Sequence, residues 1–169
     1  RALRVQPDCE THLVMTRGAK IAWEEESMSP LSDLALAADY SYDDEDIAAV
    51  IASGSFLTAG MVILPCSMKT LSAVANGYAA GLLTRAADVC LKEGRKVVLC
   101  PREMPLGKIH LKNMLQAAEL GCVILPPMLT FYNNSNSLSE QVEHVVGKIL
   151  MHFGLAHSPF RPWQGGGRA

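Results

Sequence analysis

The sequence predicts an α/β fold in which helices cover both faces of a mostly parallel sheet, a doubly wound sandwich. Short apolar runs at residues 11–16, 61–66, 96–101 and 122–126 lack strict alternation with polar residues, as is typical of strands buried on both faces of a parallel sheet. Segments of helical length separate these strands, and this alternation requires right-handed crossovers. The 169 residues fit one such domain.

Helix signals lie between and after these strands. Ser67 can cap a helix, Gly94 and Gly121 can end one, and residues 137–140 form a capping box ahead of a single apolar stripe. The acidic run at residues 43–46 is interpreted as the N-terminus of a further helix. The helices predicted in full are residues 67–80, residues 82–93, residues 109–120 and a last helix from about 137 to 153.

The composition excludes several classes of protein. Hydrophobic residues make up 49% and charged residues 19%, which is typical of a globular chain. The formal net charge of −2 gives no electrostatic reason to expect nucleic acid as a partner. The apolar runs are too short to cross a membrane. Five cysteines without CxxC spacing, four of them in apolar stretches, indicate reduced thiols in a cytoplasmic protein.

Metal, nucleotide-triphosphate and hydrolase sites are not indicated by the sequence. His144 and His152 lie eight residues apart, and no carboxylate or thiol completes a metal-ligand set with them. The sequence contains no Walker motif, no complete GxGxxG and no nucleophile elbow. We therefore expect a site that works without a metal ion.

Three polar groups follow predicted strands, at the edge where doubly wound folds bind their ligands. The run Pro65-Cys-Ser-Met-Lys-Thr70 opens a helix whose N-terminus could bind an anion, although an N-cap serine beside a solvated lysine explains it more simply. Arg102-Glu103 could bind phosphate and move a proton, or form an idle surface ion pair. The loop at residues 126–132 presents the Tyr132 hydroxyl, and packing is the more common role of such an aromatic pair. Snorkelling is the default explanation for Lys148 in the last helix.

Nine short stretches follow one another in a fixed order along the chain. They are ETHLVMT at 10–16, ASGSF at 52–56, PCSMKT at 65–70, LTRAADV at 83–89, LKE at 91–93, REMPL at 102–106, IHLKNM at 109–114, PPM at 126–128 and FY at 131–132. Each stretch alone is weak, but the combined order resembles the UbiX-type flavin prenyltransferases, which were long labelled as phenolic acid decarboxylases. The resemblance extends from about residue 1 to about residue 164.

The resemblance implies both a fold and a reaction. The fold would be a flavodoxin-like, three-layer Rossmann sandwich, assembled into a homododecamer that holds FMN at subunit interfaces. The reaction would transfer a dimethylallyl group from dimethylallyl phosphate to reduced FMN, at N5 and then at C6. The prenylated FMN would then serve a partner decarboxylase of the UbiD type, and no metal ion would take part.

The resemblance also assigns residues to the site. Thr16 keeps the hydroxyl of a serine that is usual in the family, and Lys148 keeps the charge of a common arginine but loses its bidentate geometry. The departing phosphate would be neutralised together by Lys92, Arg102, Lys148 and Tyr132. Glu103 would act as acid and base. The implied FMN contacts are Thr16, Ser67, Met68, Lys69, Thr70, Arg85 and Arg102; the prenyl-donor contacts are Glu26, Tyr132 and Lys148; the catalytic residues are Glu103 and Lys92.

One departure from the family pattern and two alternatives remain. The family begins with a strand and a glycine-rich loop around the FMN phosphate. Residues 1–169 are expected to be one FMN-binding domain lacking both, and we expect the sequence to be part of a longer one. The glycine-rich residues 164–169 are expected to be a frayed end. An FMN-dependent cysteine decarboxylase of the wider family is one alternative, although His12 lies in a strand and no matching asparagine motif occurs. A non-catalytic flavin carrier is the other.

Overall fold

The structure is a computed structural model that describes residues 2–162, so the predicted frayed end at 164–169 lies outside the described residues. Strands and helices alternate along most of the chain. In order they are β1 (His12–Met15), α1 (Arg17–Glu26), α2 (Leu31–Ala35), β2 (Tyr40–Asp43), a 3₁₀ helix (Val50–Ala52), β3 (Gly60–Cys66), α3 (Met68–Ala75), α4 (Leu82–Lys92), β4 (Lys96–Pro101), α5 (Lys108–Glu119), β5 (Val123–Ile124) and α6 (Leu138–Met151).

All strand pairs of the described residues are parallel, which confirms the predicted fold class. The strands β3, β4 and β5 form one sheet in that order, and β1 pairs with β2 in a second sheet. Val14 of β1 packs against the core of the larger sheet. Strand β4 lies at the centre of that sheet, and its residues 97–101 are buried, as its unbroken apolar sequence predicts.

Alternate residues of β4 face two different helical layers. Val97 and Leu99 belong to a core cluster that α3, α4 and α5 complete through Leu71, Leu83, Ala87 and Ala117 among others. Val98 and Cys100 instead pack with Ile149 of α6. Because successive side chains of a strand point to opposite faces, this division places helices on both sides of the sheet. The sandwich therefore has three layers.

The acidic run does not begin a helix of its own, so that part of the prediction was wrong. Asp43 ends β2, and its carboxylate accepts a 2.5 Å hydrogen bond from Lys20. The carbonyl of Asp44 accepts from the amide of Leu82 at 2.7 Å, and its carboxylate accepts from the amide of Leu83 at 2.8 Å. Asp44 thus caps α4, because the first amides of a helix have no partner inside it. The Asp44 carboxylate does lie at a helix N-terminus, but that helix begins at Leu82, 38 residues further along the chain.

Two other boundaries differ from the predicted ones. Helix α3 ends at Ala75, five residues early, because Gly77 adopts a left-handed φ of +65° that ends the helical path. The ladder of β5 covers only Val123–Ile124, since the two prolines that follow have no amide hydrogen to donate. The segment with α1, α2 and β2 was not predicted, and two of its elements are short: α2 has five residues and β2 has four.

The carboxyl ends of the strands meet at one edge of the sandwich. Helix α4 ends at Lys92, shortly before β4 begins, so its N-terminus lies toward the end of β4. Asp44, directly after β2, caps that same N-terminus. The ends of β1 and β2 therefore lie on the side where β3 and β4 end, which we call the ligand edge. No helix among residues 2–162 is long and apolar enough to span a membrane.

Candidate active site

Two of the helices that begin on the side of the ligand edge, α1 and α3, have a hydroxyl cap. Thr16, directly after β1, accepts a 3.2 Å hydrogen bond from the amide of Ala19. Ser67, directly after β3, accepts one of 3.2 Å from the amide of Thr70, and the two hydroxyls lie 3.1 Å apart. The remaining amides of the first turns and the helix dipoles favour an anion there. The simple interpretation of Ser67 as an N-cap is confirmed, and it leaves room for an anion beside it.

Arg102 and Glu103 extend the ligand edge at the end of β4. The amide of Arg102 donates to the carbonyl of Cys66 at 3.2 Å, so this pair stands beside the start of α3. Both side chains are exposed, and within residues 2–162 no ion pair joins Arg102 to Glu103. The carboxylate of Glu103 accepts from the amide of Met104 at 3.1 Å. The interpretation of Arg102 and Glu103 as a surface ion pair with no chemical role is therefore not supported by the structure.

A second group of predicted residues lies on α4. The Arg85 guanidinium donates to the carbonyl of Ala52 at 3.2 Å and to the carboxylate of Asp88 at 3.0 Å. Lys92, half-exposed, forms a 3.2 Å ion pair with Glu93. The loop at residues 52–56 lies against these side chains, and we call this surface the α4 face.

The loop of the α4 face is held by its backbone. The Arg95 guanidinium donates to the carbonyls of Phe56 and Gly54 at 2.6 and 2.7 Å. A Cβ at Gly54 would meet the Glu93 carboxylate at 2.5 Å and lie 3.4 Å from the Lys92 ammonium. The absence of a side chain at Gly54 therefore lets the loop backbone approach the ion pair closely.

Lys92, at the far end of the α4 face, does not reach the ligand edge within one chain. Lys92 precedes the start of β4, whereas Arg102 follows its end. The six residues of β4 span about 20 Å at the rise of a parallel strand. Two side chains so far apart cannot hold the same phosphate group.

A third group forms around Tyr132, in the loop that follows β5. The Tyr132 hydroxyl lies 3.3 Å from Nε2 of His144, and the two rings meet edge to face at 5.7 Å. The ammonium of Lys148 lies 6.0 Å from the centre of the Phe160 ring, which also packs on His144. Burial, with the Lys148 charge as a second cause, lowers the pKa of His144. Tyr132 and Lys148 are thus linked through His144 and Phe160, and their sharing of a donor site stays a prediction.

The backbone of this loop is fixed by one buried amide. Gln141 of α6 accepts from the amide of Thr130 at 2.9 Å and donates to its carbonyl at 2.5 Å. Gln141 was not predicted from the sequence, and His144 was considered only as a metal ligand. The available signal was the pair of polar residues spaced three apart within the apolar stripe of α6.

Glu26 stands apart from the other predicted residues. It ends α1 and is exposed, about 15 Å along the helix from the cap at Thr16. The described contacts of the chain do not join it to the ligand edge, the α4 face or the Tyr132 group. Its predicted contact with the prenyl donor requires a neighbouring molecule or a different arrangement.

The ligand edge is suited to a phosphorylated ligand such as FMN. It combines two hydroxyl-capped helix N-termini with the exposed cations Lys69 and Arg102, which are the groups that bind phosphate oxygens. Within residues 2–162 no three His, Cys, Asp or Glu side chains are grouped as a metal site requires. The exposed carboxyl group of Glu103 stands at the same edge.

Comparison with known proteins adds a family to this geometry. The family model described as Flavoprotein matches residues 1–154. A probable UbiX-like flavin prenyltransferase from Sedimentibacter hydroxybenzoicus is 57% identical over 165 residues, covering 98% of this chain and 87% of that relative.

Two solved structures are similar over nearly the whole chain. A dodecameric FMN-dependent UbiX-like decarboxylase from Escherichia coli O157:H7 is 53% identical with a TM-score of 0.94, covering 97% of this chain and 89% of the other. AnUbiX (PadA1), solved in complex with FMN and dimethylallyl pyrophosphate, is 43% identical with a TM-score of 0.93, covering 97% and 87%. Both the sequence and the backbone are thus shared with proteins of this kind.

Proposed function

This chain belongs to the UbiX-like flavin prenyltransferases of the Flavoprotein family, and we propose that it transfers the dimethylallyl group of dimethylallyl phosphate to reduced FMN. It is accordingly an FMN-binding enzyme of the transferase class. The observation that carries the proposal is the placement of Arg102 and Glu103 beside the hydroxyl-capped start of α3. That arrangement supplies an anion site and an acid–base group at one edge of the sheet.

The ligand edge is the proposed FMN site. Thr16, Ser67 and Thr70 would offer hydroxyl and amide groups to the flavin, and Lys69 and Arg102 would offer positive charge to its phosphate. Met68, half-buried at the start of α3, would pack against the ring. When bound and reduced, the flavin supplies the nucleophilic nitrogen and carbon positions that accept the prenyl group. The residues of the chain hold and orient it there.

The cations and the Tyr132 hydroxyl would neutralise the departing phosphate. An allylic phosphate loses its leaving group only as negative charge gathers on the phosphate oxygens, so fixed positive charge lowers the barrier. Lys92, Arg102 and Lys148 would supply that charge, with Arg85 and Glu26 as the remaining predicted contacts. Glu103 would hold or donate a proton at its carboxyl oxygen as the flavin adduct forms.

We propose that more than one subunit contributes to each site. The separation of Lys92 from Arg102 along β4 supports this, because one chain cannot bring both to a single phosphate. Large apolar side chains are also exposed on α5 and in the loop at residues 126–132, for example Ile109, Leu115 and Phe131. Such side chains are usually covered in an oligomer, and a similar structure is dodecameric.

Three further features complete the proposal. Residues 1–169 would form a single FMN-binding domain, and the edge of β3 not paired with β4 in the described residues is where another strand would add. The product would pass to a decarboxylase of the UbiD type. The reaction would take place in the cytoplasm, where five unpaired cysteines remain reduced.

The deciding experiment is mass spectrometry of the flavin released after anaerobic incubation with reduced FMN and dimethylallyl phosphate. We expect a mass increase of one prenyl unit over FMN. Unmodified FMN bound to intact protein would overturn the transferase assignment and favour the flavin carrier or the cysteine decarboxylase. Parallel reactions with the monophosphate and the pyrophosphate would identify the preferred donor.

A further inference from the structure

Arg95 holds the loop at residues 52–56 against the end of α4. Its guanidinium donates to the carbonyl of Phe56 at 2.6 Å and to that of Gly54 at 2.7 Å. Hydrogen bonds from an ionised donor are stronger than neutral ones, and the planar fork of an arginine serves two acceptors at once. The Phe56 ring also meets the ring of His12 edge to face at 5.0 Å. A loop that would otherwise be mobile is thus fixed in place.

The base of this clamp is rigid as well, because α4 ends in a Schellman motif. Gly94 adopts a left-handed φ of +67°, and its amide donates to the carbonyl of Leu91 at 3.0 Å. The amide of Arg95 then donates to the carbonyl of Cys90 at 2.7 Å. The backbone of Arg95 is therefore set by the helix, and its side chain carries that order into the loop.

Gly54 is the point at which the loop touches a predicted catalytic residue. A Cβ at this position would lie 2.5 Å from the Glu93 carboxylate and 3.4 Å from the Lys92 ammonium. Those two groups form an ion pair of 3.2 Å. Successive residues of a helix point about 100° apart and do not face each other, so helical geometry alone does not join this pair. The loop backbone lies beside both charged groups and limits the positions open to them.

A lysine at this position gains from such a restraint. Its ammonium is a point charge on a flexible four-carbon stem, and the ion pair with Glu93 is too exposed to fix it alone. Contact with a fixed backbone reduces the freedom that Lys92 must lose when it binds an anion. A charge already in place also stabilises a leaving group without further reorganisation.

We propose that Arg95 is a positioning residue, which acts through Gly54 to hold the Lys92 ammonium where it meets the phosphate group of the prenyl donor. The inference rests on the proposed function for the identity of that phosphate. Arg95 acts at a distance, because its fork is occupied by the two loop carbonyls. Arg85 adds to the same restraint, since it donates to the carbonyl of Ala52 at 3.2 Å.

The test is a double-mutant cycle with Arg95→Met and Lys92→Met, in which calorimetry measures the affinity of the FMN-loaded protein for inorganic phosphate. Loading with FMN fills the site of the flavin phosphate, so the titration reports on the donor site. We expect Arg95→Met to weaken phosphate binding by about tenfold, the size of one hydrogen bond to a charged group. In the Lys92→Met background it should have no further effect, because the residue it acts through is gone. An equal loss in both backgrounds would overturn the proposal.

Hydrogen exchange of the loop amides tests the clamp without any ligand. Peptides that cover residues 53–56 should exchange faster in Arg95→Met than in the wild type, because the loop loses its anchor. The matched control is Lys96→Met, which removes another cation that donates to a carbonyl, that of His152 at 2.5 Å. It should leave loop exchange and phosphate affinity unchanged. Unchanged loop exchange in Arg95→Met would overturn the proposal.

The kinetics separate positioning from a general loss of structure. Arg95→Met should raise the KM for the prenyl donor about tenfold while the affinity for FMN stays the same. A fall in FMN affinity of the same size would indicate a merely structural role and overturn the proposal. If Arg95→Met fails to fold, Arg95→Lys keeps the charge without the fork, and normal loop exchange and phosphate affinity in that variant would overturn the proposal. If the wild-type protein makes no prenylated FMN, the proposed function fails, and the exchange and phosphate results still decide the role of Arg95.

Discussion

Lys92 and Arg102 lie at opposite ends of strand β4, on the α4 face and at the ligand edge respectively. Both are cations expected to act on one phosphate group. The strand between them spans about 20 Å, which exceeds the reach of either side chain. We therefore propose that a functional site takes Lys92 from one subunit and Arg102 from another, which would make the assembly part of the catalytic machinery.

This relationship predicts complementation between inactive variants. Lys92→Met and Arg102→Met should each abolish prenyl transfer when prepared alone, because every site then lacks one cation. Oligomers co-assembled from equal amounts of the two should recover activity, since about a quarter of the sites combine two unaltered contributions. Prenylated FMN measured in the mixed assembly checks this. Recovery should be absent when separately assembled variants are merely mixed, and no recovery after co-assembly would contradict the shared site.

Glu103→Gln should bind FMN but form little prenylated product. The amide keeps the shape of the side chain and its hydrogen bond from Met104, but it cannot exchange a proton. We expect the rate to fall by about 10²- to 10⁴-fold, the usual contribution of a general acid or base. Single-turnover formation of prenylated FMN is the measurement. Glu119→Gln, an exposed carboxylate at the end of α5, is the matched control, and equal rates in the two variants would refute the role of Glu103.

The sequence predicted the central strands and their helices well because their signals are local. Residues 96–101 form an unbroken apolar run, and the structure places β4 at those same residues. Ser67 and the capping box at residues 137–140 correctly marked the starts of α3 and α6. Such signals need only neighbouring residues, so tertiary packing does not change them.

Features that depend on distant contacts could not be predicted in this way. The carboxylate of Asp44 caps a helix that begins at Leu82, and no local pattern encodes that contact. The site shows the same limit. The sequence motifs predicted that Lys92 and Arg102 act on the same phosphate. Only the fold shows that the two residues lie on different surfaces of one chain. The contact of His144 with Tyr132 was not predicted, because a lone buried histidine has the same sequence signal whatever it contacts.

Lys148→Arg should tighten binding of the prenyl donor, and Lys148→Met should weaken it. An arginine can form two parallel hydrogen bonds to phosphate, whereas lysine offers a single point charge. We expect the KM for the donor to fall a few-fold with arginine and to rise about tenfold with methionine. The Lys148 ammonium already lies 6.0 Å from the Phe160 ring, a surface on which a planar guanidinium can also stack. A higher KM with arginine would show that the site is shaped for lysine.

Alkaline pH should destabilise the protein through its buried thiols. Burial raises the pKa of Cys66 to about 12 and those of Cys100 and Cys122 to about 11, from an ordinary value of 9.0. Between pH 9 and 12 the unfolded chain therefore binds fewer protons than the native protein, and the free energy of unfolding falls as pH rises. Each thiol contributes about 1.4 kcal/mol per pH unit between pH 9 and its own native pKa, which is about 12 for Cys66 and about 11 for Cys100 and Cys122. Stability should be unaffected by these groups below pH 9.

The measurement is Tm as a function of pH for the wild type and for Cys66→Ala. The variant should be less stable at neutral pH, because it leaves a small cavity, but its Tm should fall less steeply above pH 9. Cys9→Ala is the control, since Cys9 is the one cysteine not buried and should leave the slope unchanged. Identical slopes for the wild type and Cys66→Ala would contradict the assignment.

Gly147→Ala should destabilise the fold, although alanine is the better helix former. A Cβ at Gly147 would lie 2.3 Å from both Cβ and Cγ of Phe160, which are too close to the backbone to swing away freely. The resulting overpacking costs about 1–3 kcal/mol and would displace the ring that covers His144. Gly18→Ala is the matched control, because the same change in α1 meets no atom within 4 Å and should stabilise the helix by about 0.5–1 kcal/mol. Urea unfolding of both variants measures the difference, and a Gly147→Ala protein as stable as Gly18→Ala would show that Phe160 does not pack on α6 in this way.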